Sequence, residues 1–286
     1  MTDSPLRLGA VAYAPKVVTI WEGFKAHFAA RGLYFDYVLY SNYETLAEAL
    51  LANDVQLAWN SPLAYVRADR MARARGTRVR SIAMRDTDID LHSMLVVPVA
   101  SPAQTLDDLR GQAIGFGAID SPQATLIPLD HLRQQGMAGG RDYTVRRFDV
   151  LGGKHGDHIG GERDAARAMV AGEVAASWMV GKNYQLFAQE GTLPAGGTRV
   201  LATTGAFDHC NMTAGPGLDP RTADAFAGML LDMSWDDPQV RPLLELEGLK
   251  VWKPGRETGY ALLERAVTDE GFYDTEGRIT ADGYRY

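Results

Sequence analysis

Apolar and polar positions along this chain change period repeatedly. "LRLGAVAY" is a short apolar run that reads as a strand, and after it Val17, Trp21, Phe24 and Phe28 recur at helical spacing on one face. "YFDYVLYS" returns to strand, "YETLAEALLAND" to a helix with Ser41 and Glu44 placed as a capping box, and "VQLAWN" to strand. Ser61-Pro62, an N-cap followed by proline at the first helical position, opens "LAYVRADRMARAR", whose charges read as a solvated face. "VRSIAMR" and "HSMLVVPVA" follow as strands. The middle continues with "QAIGFGA", helix "QATLIPLDHLRQQG", "YTVRRFDV", helix "RDAARAMVAGE", "VAASWMV" and helix "KNYQLFAQEG". Past "RVLATTGAFDHCNMTAGPG" the pattern turns helical, around "PRTADAFAGMLLDMSW", "PQVRPLLELEG" and "GYALLERAVTDEG". Alternation of this kind predicts an α/β fold with mostly parallel sheet.

One internal echo points to two related halves. Thr45–Asn60 and Asp164–Met179 are each a helix, a tight turn and an apolar strand carrying a tryptophan, Trp59 or Trp178. Composition alone makes amphipathic helix-turn-strand units look alike, so periodicity leaves common descent and coincidence equally open.

Composition narrows the partners. The chain has 286 residues, enough for two modest lobes, and a net charge of −7 with no basic run, which argues against nucleic acid or an anionic membrane as a partner. No apolar run has the length of a membrane span, so no membrane insertion is expected. One cysteine, Cys210, excludes an intrachain disulfide and a cysteine-only zinc site. The start "MTDSPLRLGAVAY" lacks a charged segment followed by an apolar one, so the expected location is cytoplasmic; a leader removed beforehand would make the protein periplasmic or a lipoprotein. There is no GxSxG, P-loop or dinucleotide fingerprint, and no nucleotide cofactor is expected.

The stretch "LGGKHGDHIGGERDA", residues 151–165, is too rich for a simple connection. It reads as a surface turn, an anion cradle or a metal site. His27 and His131 lie within helix patterns, whereas His92, His155, His158 and His209 fall on connections. Imidazoles with carboxylates suit a divalent transition metal (Zn, Fe, Mn or Ni), and the candidate ligands are His155, His158, Glu162 and His209.

Three segments, "VQLAWNSPLAYV", "AIGFGAIDSPQATLIP" and "GERDAARAMVAGEVAAS", together resemble the phosphonate/phosphite-binding solute receptors of ABC transporters, in the type II periplasmic-binding-protein superfamily. The resemblance runs over most of the chain. It implies an α/β, two-lobed fold with a ligand cleft between the lobes and a helical C-terminal tail packing on lobe 1. Lobe 1 is then 1–95 plus 206–286 and lobe 2 is 96–205, with crossovers near His92–Val99 and Arg199–Thr213. It also implies a small anionic ligand, and an ABC permease as partner if the protein is exported. Helix starts at Ser61-Pro62, Ser121-Pro122 and Gly160-Gly161-Glu162 suit an anion, although Ser-Pro also caps helices with no ligand, as expected for Ser101-Pro102. Tyr13, Tyr43, Ser61, His92, Ser93, Asp120, Ser121, Gln123, Arg163 and His209 are the expected ligand contacts.

Two departures complicate that expectation. The family's Asn-Ser-Thr-Ser-Gly anion loop reads here Asp120, Ser121, Pro122, Gln123 and Ala124, which removes an N–H donor and adds a negative charge. Arg163 stands where the family has histidine; its fork suits a carboxylate or phosphonate, but it equally suits a solvent-facing helix position. An alternative therefore stands beside the receptor: a cytoplasmic, metal-assisted lyase or decarboxylase of a small carboxylate or phosphonate. His155 or His158 would move protons and Asp208 would orient an imidazole.

Overall fold

The computed structural model describes residues 5–157 and 159–286. The chain groups into two compact units. Unit 1 runs to Ile89 and takes in Asp208–Tyr260 and Tyr273–Ile279; unit 2 is Asp90–Phe207, Ala261–Phe272 and Thr280–Tyr286.

Unit 1 begins β1 (Leu6–Val11), α1 (Lys16–Ala29), β2 (Phe35–Tyr40), α2 (Tyr43–Leu51), β3 (Leu57–Asn60), α3 (Pro62–Ala74) and β4 (Arg80–Arg85). Unit 2 carries β5 (Ser93–Pro98), β6 (Ala113–Phe116), a π-helical turn (Pro122–Leu126) leading into α4 (Ile127–Gln134), β7 (Thr144–Arg147), α5 (Gly160–Val170), β8 (Ala176–Val180), α6 (Gly181–Gln189) and β9 (Thr198–Thr203). The chain then re-enters unit 1 with β10 (Asn211–Ala214), α7 (Pro220–Leu231), α8 (Arg241–Glu247) and β11 (Trp252–Pro254), before α9 (Ala261–Asp269).

The sheet in unit 1 has the order β2-β1-β3-β10-β4-β11, and that in unit 2 β7-β6-β8-β5-β9. Both place a parallel trio beside an antiparallel strand that directly follows a crossing between the units: β10 pairs antiparallel with β3 and β4, and β5 with β8 and β9. In this wiring α2–β3 and α5–β8 are equivalent. The echo between Thr45–Asn60 and Asp164–Met179 therefore falls on matching segments of two alike sheets.

Packing follows the apolar periods. Val17, Trp21, Phe24 and Phe28 are all buried, and Phe28 meets Phe226 of α7 with ring centroids 5.0 Å apart. α8 lies on α1, so α7 and α8 close the unit 1 core as a helical tail. α9 departs from that expectation. It packs on α4 in unit 2, held by Arg265 to Asp130 (2.7 Å) and Arg133 to Glu270 (2.8 Å). The first two crossings between units fall at 89/90 and 207/208, against the expected 95/96 and 205/206.

Three local expectations are corrected. Asn42, not Ser41, caps α2, its Oδ1 accepting the Thr45 N–H at 2.8 Å. Glu44 is instead buried and accepts from the Tyr273 hydroxyl at 2.7 Å. Ser101-Pro102 starts no helix; Ser101 Oγ accepts the Ala103 N–H in a turn. In α3, Arg67 and Arg70 are buried rather than solvated, because they bind the backbone of the 273–279 segment, Arg67 at Gly277 O (2.9 Å) and Arg70 at Tyr273 O (2.7 Å). Arginine's long stem and forked donors suit such hooks.

Candidate functional site

In unit 2 the polar chemistry gathers where β6 meets the π-helical turn. Ser121 caps the turn, its Oγ accepting the Ala124 N–H at 3.2 Å. Its carbonyl accepts from both Thr125 and Leu126, at 3.1 and 3.0 Å, the five-residue step that makes the turn π rather than α. Proline at 122 has no N–H, and the Ala124 N–H is already satisfied by the cap. This helix start therefore offers an anion fewer backbone donors than an uncapped one would.

The 151–157 loop lies directly over that turn. The Asp120 carboxylate accepts the backbone N–H groups of Gly153 (2.7 Å) and His155 (3.2 Å), with the Tyr284 hydroxyl at 3.4 Å. Gly156 sits at φ +73°, and a Cβ there would stand 2.4 Å from Ser121 Oγ, so both its conformation and its close approach require glycine. Gln123 donates to Gly156 O (3.0 Å) and to Glu162 Oε1 (3.2 Å). The other oxygen of Glu162 accepts from Val180 N–H (3.0 Å) and the Asn183 amide (2.9 Å). Burial pushes the Glu162 carboxyl above its ordinary range, and these donors offset only part of that rise. Ser93 is buried and donates to Gln123 O, which fixes β5 against the turn. The glycine-rich stretch is thus a folded connection built around the Asp120 carboxylate, an anion the chain itself provides.

The remaining unit 2 candidates are placed as follows. His155 is buried within this connection; His158 lies outside the described residues. His92 is exposed, its Nδ1 2.9 Å from Thr204 O. Arg163 spends its fork on Glu190, at 2.7 and 3.1 Å, and stacks over Phe187. That ion pair realises the alternative in which Arg163 is a helix-face residue.

In unit 1 the candidates gather where the chain leaves and re-enters. Asp208 is buried and accepts from Nε and Nη2 of Arg256, each at 2.5 Å. The neighbouring Gly259 leaves room for it, since a Cβ there would collide with the carboxylate. His209 donates its backbone N–H to Asp88 O at 2.8 Å. Its Nδ1 lies 3.5 Å from Asp88 Oδ1 and 3.1 Å from Cys210 Sγ. Asp88 is fully buried and forms a two-point pair with Arg85, which also reaches Glu247 at 3.3 Å and lies over the Trp59 ring. Burial works to raise the Asp88 carboxyl, but Arg85 and His209 overturn that and hold it well below the usual carboxylate range. A buried chain of hydrogen bonds continues from His209 O through the Tyr260 hydroxyl, Asn211 and Thr213 to Asn60 at the end of β3. Burial pushes the Tyr260 phenol well above its ordinary value.

Ser61 caps α3 through the Ala64 N–H at 3.1 Å. Tyr43 is buried in the core and Tyr13 is half-buried against it, with the Lys16 ammonium 6.0 Å from its ring centroid. A hollow of about 620 Å³ in unit 1, lined by Arg73, Arg78 and Arg80, includes none of the residues expected from the sequence.

The expected metal ligands are divided between the two units, apart from His158, which lies outside the described residues. His209 belongs to unit 1, whereas His155 and Glu162 belong to unit 2. Among the described residues, the group of at least three such side chains whose ligand atoms converge is Asp88, His209 and Cys210. Asp88, Arg85, Glu247 and Arg256 were not singled out from the sequence. The acid-rich "RDTDID" after β4 was the available signal, but it carries no spacing that announces a site.

Comparison with known proteins supports the fold reading. Three solved structures with similar folds are the PhnD1 protein of Prochlorococcus marinus in complex with methylphosphonate, a binding-protein component of an ABC phosphonate transporter from Pseudomonas aeruginosa, and the periplasmic aliphatic sulphonate-binding protein SsuA of Escherichia coli. PhnD1 is 16% identical at a TM-score of 0.66, covering 92% of this chain and 97% of its own. The Pseudomonas protein is 12% identical at 0.62, covering 98% and 91%, and SsuA is 18% identical at 0.57, covering 93% and 91%. The fold is that of the type II periplasmic binding proteins. No helix among the described residues is long and apolar enough to cross a membrane. The model of the ABC-transporter phosphonate periplasmic substrate-binding protein family matches residues 11–260. Members of that family are periplasmic, which overturns the expectation of a cytoplasmic protein. With most of its length matched and both sheets wired as described, this chain belongs to the periplasmic phosphonate substrate-binding proteins of ABC transporters.

Proposed function

We propose that this protein is a solute receptor that binds a small oxyanion, a phosphonate or a chemically similar sulfonate or carboxylate, and delivers it to an ABC permease. The observation that carries this reading is the family match across residues 11–260. The capped helix starts at Ser61 in unit 1 and Ser121 in unit 2 supply fitting chemistry, hydroxyls set at the positive ends of helices. Proline at 122 and the carboxylate of Asp120 make the Ser121 start poorer in donors than a hydroxyl-rich loop. This favours a ligand that brings one oxyanion face rather than a fully charged phosphate. The metal-assisted lyase alternative gains nothing from the family or from these contacts: Glu162 holds α5 to β8 and α6, and Asp208 is paired with Arg256.

Isothermal titration with methylphosphonate, phosphite, ethanesulfonate and acetate tests the reading. One of these oxyanions is expected to bind one-to-one, and Ser121→Ala to weaken it roughly tenfold, the usual consequence of losing a hydrogen bond to a charged group. A folded protein that binds none of the four at millimolar concentration would overturn it.

A further inference from the structure

We propose that Asp88, His209 and Cys210 form a site for a thiophilic divalent cation, with Zn²⁺ as the fitting ion. The three residues supply one oxygen, one nitrogen and one sulfur, the donor types zinc accepts. All three are buried, and their ligand atoms lie within 4.8 Å of one another. His209 Nδ1 stands 3.1 Å from Cys210 Sγ and 3.5 Å from Asp88 Oδ1. Two ligands bound at ~2.0–2.3 Å to a tetrahedral ion stand about 3.3–3.6 Å apart, so these separations approach those of a formed site.

Packing alone explains less of this arrangement. The pair between Asp88 and Arg85 accounts for those two residues, but not for the imidazole nitrogen that stands close to both that carboxylate and the chain's single thiol. The donors come from two segments 121 positions apart in sequence, pinned together by the His209 N–H to Asp88 O bond. Arg85 grips the carboxylate by two nitrogens, which leaves further lone pairs on Asp88 for a cation. Three protein ligands leave a fourth position for water or a small anion. A cation there would tie together the segments at which the chain leaves and re-enters unit 1.

The test uses the full chain, free of affinity tags, reduced and stripped with chelator, then titrated with Co²⁺. One equivalent is expected to bind and to give the intense near-ultraviolet thiolate-to-cobalt absorption. Because the chain has a single cysteine, that band can come only from Cys210. Zn²⁺ is expected to displace the cobalt and raise the melting temperature. Cys210→Ser is expected to abolish the band and weaken Zn²⁺ binding roughly tenfold or more. A stripped, folded wild-type protein that takes up Co²⁺ without the band, or takes up none, overturns the proposal even if Cys210→Ser fails to fold. Oxyanion binding by the stripped protein is measured separately, so either reading can fail alone.

Discussion

In unit 1 the buried carboxylates of Asp88 and Asp208 each face a guanidinium, whereas in unit 2 those of Asp120 and Glu162 face mainly amides. The two units thread their sheets alike, so the contrast lies in what is placed at the strand ends. A full opposite charge overcomes desolvation, as the lowered Asp88 shows; three neutral donors do not, as the raised Glu162 shows. Asp88 is thus held charged by its partners, whereas burial leaves Glu162 a group that responds to pH.

The largest break in the contrast comes from Arg85→Ala. It leaves Asp88 and Glu247 buried without their common partner and is expected to cost about 3–5 kcal/mol in chemical denaturation. A loss below ~1 kcal/mol would mean that Asp88 is balanced by something other than Arg85. Gly156→Ala comes next. It forces a left-handed residue into contact with Ser121 Oγ and is expected to cost about 1–3 kcal/mol, while also weakening any oxyanion bound at that helix start. An unchanged unfolding midpoint would show that the 151–157 loop is not seated on the turn as described.

The smallest effect is the pH response of Glu162. Its folded pKa lies above the unfolded one, so between the two values the native state holds a proton that the unfolded chain has lost. Stability therefore falls as pH rises through that window, by no more than about 1.4 kcal/mol per pH unit from this one group. Melting temperatures followed upward from about pH 4 should show this slope in the wild type and lose it in Glu162→Gln. An identical slope in both proteins would move the pH response to another group.

Elements whose partners lie close in sequence, or whose partner is simply the core, were legible in advance. The α1 face read correctly because a surface helix must bury one apolar stripe whatever covers it. The Ser61 cap read correctly because capping is settled within four residues. β11 was missed, being three residues with no period to detect, and the arginines of α3 were misread because their partners lie some two hundred positions away. Separations of 162 and 48 positions likewise hid Arg85 with Glu247 and Asp208 with Arg256.

By itself, then, the sequence determined the alternation of strand and helix and the family resemblance, since both are carried by local pattern and motif order. The likeness of the two halves it left open until the sheets were seen to be wired alike. Only the tertiary structure decided what the glycine-rich 151–157 stretch does: it closes over Ser121 and wraps its N–H groups around Asp120. It also decided that His209 joins Asp88 and Cys210. Both outcomes depend on which distant backbone groups arrive beside a buried carboxylate. A buried charge accepts whatever donor the fold delivers, and no local spacing encodes that delivery.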